Sequence, residues 1–274
     1  MSTNAISIVK RWDWRTIVFT VLAGLVAYLF ISNIYRLSAP WASLAWLPKD
    51  DPRQLNPELH RWHTAMWGAV SGILNGGVLL SLLWRPRQKL LLIQYIALMV
   101  IVAAPIMLPF EPSLLVVILM VAFVVAAYPA PRKLLDFSQA EPLSRPLLAF
   151  CLVAAVLLVP YMVRLELWQI QGVGGEHATA NQWVSDVEHT AFLLLALFLA
   201  STKRPGWRTL GILTGAVFIY LGVAALALPN YAGSWGVTGG ITALIGGLLY
   251  IVATIREVRK TAHESSEALP SVAS

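Results

Sequence analysis

Residues 185–200 read Ser185-Asp-Val-Glu-His-Thr-Ala-Phe-Leu-Leu-Leu-Ala-Leu-Phe-Leu-Ala200, three ionisable side chains running straight into an apolar stretch. Charges at the lip of a hydrophobic segment are costly and mark a functional site by default. The same His-Thr-Ala occurs as His63-Thr64-Ala65, again at the head of an apolar stretch. Comparable runs recur along the whole chain, each close to the ~20 residues needed to cross a bilayer core.

Composition agrees with a membrane reading. The chain has 274 residues, 58% of them hydrophobic and 12% charged, and a mean hydropathy of +0.69. A soluble domain carries about 25% charged residues, so this chain has too little charge to cover a water-facing surface. The expectation is an all-α polytopic membrane protein with about eight transmembrane helices, placed in the cell membrane and taken to be a prokaryotic inner membrane protein. The spans fall at 16–35, 62–84, 90–108, 113–128, 147–164, 186–202, 209–228 and 235–255, the fourth being short. The single Cys151 excludes an intrachain disulfide and a CxxC site.

The formal net charge of +6 is not spread evenly. Arg85–Lys89, the segment with Arg132, Lys133 and Arg145, Lys203–Arg208, and the tail with Arg256, Arg259 and Lys260 are basic. They alternate with turns at Glu111 and Asn230 that carry no positive charge. The positive-inside rule then puts both termini in the cytoplasm (N-in/C-in) and leaves 37–61 and 165–185 facing outward. Lys49, Arg53 and Arg61 in the first outer segment are balanced by Asp50, Asp51 and Glu58. Trp41, Trp46, Trp62, Trp67, Trp168, Trp183 and Trp235 read as an aromatic belt at the outer boundary. Charge distributed in this way calls for a lipid bilayer as partner and not for nucleic acid.

Landmarks repeat in order. Tyr35-Arg36-Leu37 and Val163-Arg164-Leu165 end equivalent spans, and a long outer segment and His-Thr-Ala follow each. Arg85-Pro-x-x-Lys89 matches Arg204-Pro-x-x-Arg208, and Leu108-Pro109 matches Leu228-Pro229. Two fused four-helix modules are expected, 1–140 and 141–260, followed by a disordered cytoplasmic tail, 261–274. With an even number of spans each, the modules are parallel repeats about an axis along the membrane normal. The first span has an internal counterpart and is expected to be retained, not cleaved as a signal peptide. His63 precedes its basic turn by 22 residues and His189 by 15, a difference near two helical turns that leaves a depression at the outer face. Small residues at spacing four (Gly68, Gly72, Gly76; Gly239, Ala243, Gly247) read as close helix packing, and Asn75 and Gln94 as interhelical hydrogen-bond partners.

Candidate chemistry gathers on the outer side, where His60, His63, His177 and His189 all fall. His60 and His63 share a helix face, as do Asp186 and His189. Under the repeat, His63 and His189 are equivalent and converge on the axis as ligands of a haem b. Alternatively they form part of a copper or zinc site with His60 or His177. Asp186, Glu188 and Glu58 can support such histidines or couple protons, and a carboxylate one turn from a histidine fixes its tautomer. A plainer reading makes Ser185-x-x-Glu188 a capping box and Asn56-Pro57-Glu58 a helix start. Arg36 and Arg164 snorkel, pair with Glu58 or Glu188, or meet an anionic substrate. Walker A, HExxH and GxSxG motifs are absent, as is a membrane lysine suited to a Schiff base.

Three functions fit: a haem or transition-metal protein for electron transfer or metal handling, a small-solute or ion transporter using Asp186, Glu188 and His189, or a non-catalytic assembly subunit. Partners beyond the bilayer would be other membrane subunits or further copies of the chain.

Overall fold

The computed structural model describes residues 13–42, 57–135 and 142–267. Among them every regular element is helical. Asp13 caps the first helix, α1 (Trp14–Ile31), its carboxylate accepting from the Thr16 amide at 2.9 Å. The second span opens with a 3₁₀ turn, Pro57–His60, continues as α2 (Arg61–Trp67), widens to a π-wound stretch over Gly68–Gly76, and ends as α3 (Gly77–Leu83). Next come α4 (Leu90–Met107), α5 (Leu114–Ala126), α6 (Arg145–Ile170) and a one-turn helix α7 (Glu176–Thr179). Then come α8 (Gln182–Ser201), α9 (Trp207–Ala227) and α10 (Gly236–Glu267), the last of the described residues.

Seven of these helical stretches are long and apolar enough to cross a membrane. The remaining expected span, the fourth in chain order, is α5, with 13 residues. At 1.5 Å per residue it measures about 20 Å, short of the ~30 Å core. The chain is therefore a polytopic helical membrane protein. α10 continues to Glu267, into the segment whose composition suggests disorder from Thr261 onward. Lys10, Arg11, Trp46, Lys49, Asp50, Asp51, Arg53 and Asn56 lie outside the described residues.

α8 is the central pillar. It is the span most enclosed by protein, packed by α4, α6 and α9. The glycine stripes explain how neighbours come so close. A Cβ on Gly68 would stand 2.9 Å from the Leu37 amide nitrogen, and one on Gly76 2.7 Å from Ile31, so the first stripe packs against the first span. In the last helix the closest approach falls on Gly240 and Gly247, against Gly222 and Gly215 of α9. Gly239 and Ala243 instead face a groove.

The basic turns meet at one end. The Leu91 amide donates to Pro205 O at 2.9 Å, Arg204 to Gln94 at 2.7 Å, and Lys203 pairs with Glu257 at 2.7 Å. Asn75 accepts from the Tyr95 hydroxyl of the next span at 2.7 Å, the interhelical role its position suggests. The four candidate histidines lie at the opposite end.

A candidate three-histidine metal centre

His60 closes the 3₁₀ turn and His63 sits one turn further on α2, so their rings share a face, 6.0 Å apart. The third ring comes from the loop between α6 and α8. Gly174, at φ +81°, and Gly175, at φ +53°, turn the chain in a left-handed conformation, and α7 then swings His177 to 4.7 Å from His60 and 5.2 Å from His63. One nitrogen from each of the three imidazoles lies within 4.8 Å of the others. Two nitrogens on one ion, each bound at about 2.0–2.1 Å, can be at most ~4.2 Å apart. The trio thus stands near ligating distance.

Hydrogen bonding divides each ring in two. His60 Nε2 is 3.2 Å from Glu176 Oε1, His63 Nδ1 is 2.9 Å from Asp186 Oδ2, and His177 Nδ1 is 3.4 Å from Gly174 O. The remaining nitrogens, His60 Nδ1, His63 Nε2 and His177 Nε2, are buried without a partner. All three residues are deeply enclosed, at 1%, 3% and 7% exposure. Burial, and next the neighbouring His63, hold the His177 imidazole below its ordinary pKa, which keeps it neutral and able to bind a metal.

The walls are aromatic. Trp183 stacks on His177 at 4.9 Å and meets His63 edge-on at 5.2 Å, while its indole N–H donates to Val173 O at 2.8 Å. Trp62 and Trp183 are buried in the bundle, at 0% and 2% exposure, and so are not members of an interfacial belt. The Tyr161 hydroxyl donates to Gly233 O at 2.8 Å and lies 3.4 Å from Asp186 Oδ2. Gly233 closes the floor at φ +79°, where a Cβ would meet His63 Cε1 at 3.1 Å and Asp186 Oδ2 at 3.3 Å. Gly233→Ala combines left-handed strain with overpacking. We expect it to destabilise the protein by about 1–3 kcal/mol and to weaken metal binding, read together as a thermal midpoint and a metal titration.

The other predicted residues take different places. α8 starts at Gln182 after Asn181, which is itself left-handed at φ 55°, so Ser185 is not an N-cap and the capping-box reading fails. Asp186 and Glu188 lie inside the helix, both buried. His189 lies one turn below Asp186. Its Nδ1 donates to Ser185 O at 2.6 Å and its Nε2 faces the Ser71 hydroxyl at 3.3 Å. Trp67 and Phe192 flank its ring, and the three-histidine group does not include it. Ser71 belongs to the π-wound stretch, and such windings often occur at functional sites. Glu58 pairs with Arg61 at 3.8 Å. Arg36 lies over Trp67 at 4.9 Å, and Arg164 over Trp168 at 5.0 Å. Among the described residues no acid forms an ion pair with either.

Tyr161, Trp183, Gly174 and Gly233 carry no local signal in the sequence. Only the order of turns brings them to the histidines. No family model, curated protein or solved structure matches the chain, so the chemistry of the site rests on its geometry.

Proposed function

We propose that the protein is a membrane metalloprotein that holds one transition-metal ion on His60, His63 and His177. The observation that carries this reading is the trio of buried, unpartnered imidazole nitrogens whose opposite nitrogens are each held by an oxygen. A buried unsatisfied polar atom costs about 1–3 kcal/mol, and three in one cluster call for a shared partner. Oxygen acceptors behind metal-ligating histidines fix the tautomer and make the ring a better donor. Neutral imidazole suits zinc and copper. Three protein ligands leave a position for water or an added ligand, the pattern of reactive and not purely structural zinc sites.

Haem b is less well supported. Both nitrogens of His189 have partners, Ser185 and Ser71, and Gly233 and Trp183 fill the floor and wall beside His63. Passage of an ion through the bundle is also less well supported. Below the site α8 buries Phe192, Leu193, Ala196, Leu197 and Ala200. The fused-repeat architecture is part of the proposal, and matched packing supports it. α1 lies on the second span as α6 lies on α8, α4 meets α8 as α9 meets the π-wound stretch, and α4–α5 parallels α9–α10. The charge pattern supports an N-in/C-in topology with the histidines at the outer face.

Elemental analysis and absorption spectra of the purified full chain test the function. One equivalent of zinc or copper, with no Soret band, is expected; a protein that takes up no stoichiometric metal after reconstitution ends this reading. Asp186→Asn keeps the shape but replaces the carboxylate behind His63 Nδ1 with a neutral, weaker-accepting amide. Metal affinity should fall about 10–100-fold, and an unchanged affinity would make Asp186 irrelevant to the centre.

A further inference from the structure

A groove of 340 Å³ runs between α6 and α10. On α10 it extends from Thr238 to Tyr250, about 18 Å at 1.5 Å per residue. That exceeds half of the ~30 Å hydrocarbon core, the depth of one leaflet. The groove is open beside Gly246, where an added Cβ would meet nothing within 4 Å. Val153 and Leu157 on its rim are 60% and 53% exposed, so it opens sideways to the bilayer and not to water.

Its two ends are polar, and differently so. At the histidine end stand Arg164, the Trp235 indole N–H, which is buried without an acceptor, and Ser234, whose oxygen already accepts from the Gly236 amide at 3.2 Å. These groups donate hydrogen bonds, and no acid forms an ion pair with Arg164 among the described residues. At the other end the Tyr250 hydroxyl, 1% exposed, also lacks a partner. Donors at the mouth of an apolar trench require a ligand whose head accepts hydrogen bonds and bears negative charge, and whose body is a hydrocarbon chain.

We propose that this groove binds one anionic phospholipid, its phosphate at Arg164, Ser234 and Trp235 and one acyl chain along α10. The lipid would lie against the ring of Tyr161, whose hydroxyl reaches Asp186 and Gly233 behind it. The proposal does not depend on a metal being bound.

Native mass spectrometry of the full chain, stripped with detergent and titrated with phosphatidylglycerol or phosphatidylcholine, tests it. Wild type should retain one phosphatidylglycerol, preferred over phosphatidylcholine by about five-fold, the scale of a single interfacial cation. Arg164→Gln, at an exposed position, should erase the preference, and Gly246→Trp should abolish retention while metal stoichiometry stays as in wild type. Equal retention of the two lipids by wild type, retention by Gly246→Trp, or an undiminished preference in Arg164→Gln would each reduce the groove to a seat for annular lipid only. Should Gly246→Trp fail to fold, the wild-type and Arg164→Gln titrations decide alone. Loss of metal from wild type with lipid still retained would count against the metal centre and not against the groove.

Discussion

His63→Ala is expected to bind no Co²⁺ under conditions where the wild-type protein should take up one ion per chain, with the intense visible bands of a low-coordinate site. Cobalt stands in for zinc because it reports its ligands optically. The loss should exceed about 100-fold in affinity, beyond the range typical of removing a supporting residue. His63 supplies one unpartnered nitrogen and also anchors the trio through Asp186. His60→Ala and His177→Ala should weaken binding comparably, whereas His189→Ala should leave stoichiometry at one. The opposite pattern, with His189 essential and His60 and His177 dispensable, would restore the symmetric His63–His189 pair and its haem.

Gly222→Ala should produce the largest loss of stability of any single methyl addition. A Cβ there would stand 2.5 Å from the Leu244 nitrogen and 2.7 Å from Gly240 O, both backbone atoms that no rotamer change can move. Overpacking of cores costs about 1–3 kcal/mol, and a clash with backbone belongs at or above the top of that range. Gly24→Ala is the matched control, because its new methyl would meet nothing within 4 Å. A mid-helix glycine replaced by alanine there should be neutral or stabilising by about 0.5–1 kcal/mol. Thermal midpoints in detergent compare the two, and equal midpoints would show that α9 and α10 do not pack this closely.

The helices themselves were legible from hydropathy, because a membrane span must be long and continuously apolar. The sharing of a face by His60 and His63 was legible as well, since spacing of three on a helix allows nothing else. What misled was the start of α8. Asn181-Gln182-Trp183 looks like loop and Ser185-x-x-Glu188 like a cap, yet the helix begins four residues before Asp186. With that earlier start, Asp186 and not His189 comes level with His63. The repeat predicts equivalent positions for His63 and His189, but equivalent positions need not touch. His177 was visible only as one more histidine on the same side. Its approach to His60 depends on two left-handed glycines, whose direction of turn composition does not reveal. The unequal spacings of 22 and 15 residues from His63 and His189 to their basic turns are also easier to understand in the structure. A π-wound stretch takes up more residues per turn, so the longer second span need not be longer in proportion.

Entry into the bilayer makes uneven demands on this chain. α8 is the least hydropathic of the seven candidate spans, at 1.4, and the most enclosed, at 78%. A centrally placed aspartate alone opposes insertion of a helix by about 2.5–3.5 kcal/mol, and α8 carries Asp186, Glu188 and His189. Its neighbour α6 is among the more apolar spans, at 2.4. The segment that carries the buried acids, Asp186 behind His63 among them, is therefore the one least able to enter a membrane on its own. During synthesis it would wait beside the translocation machinery until α6 on one side and α9 on the other give it a protein surface to leave with.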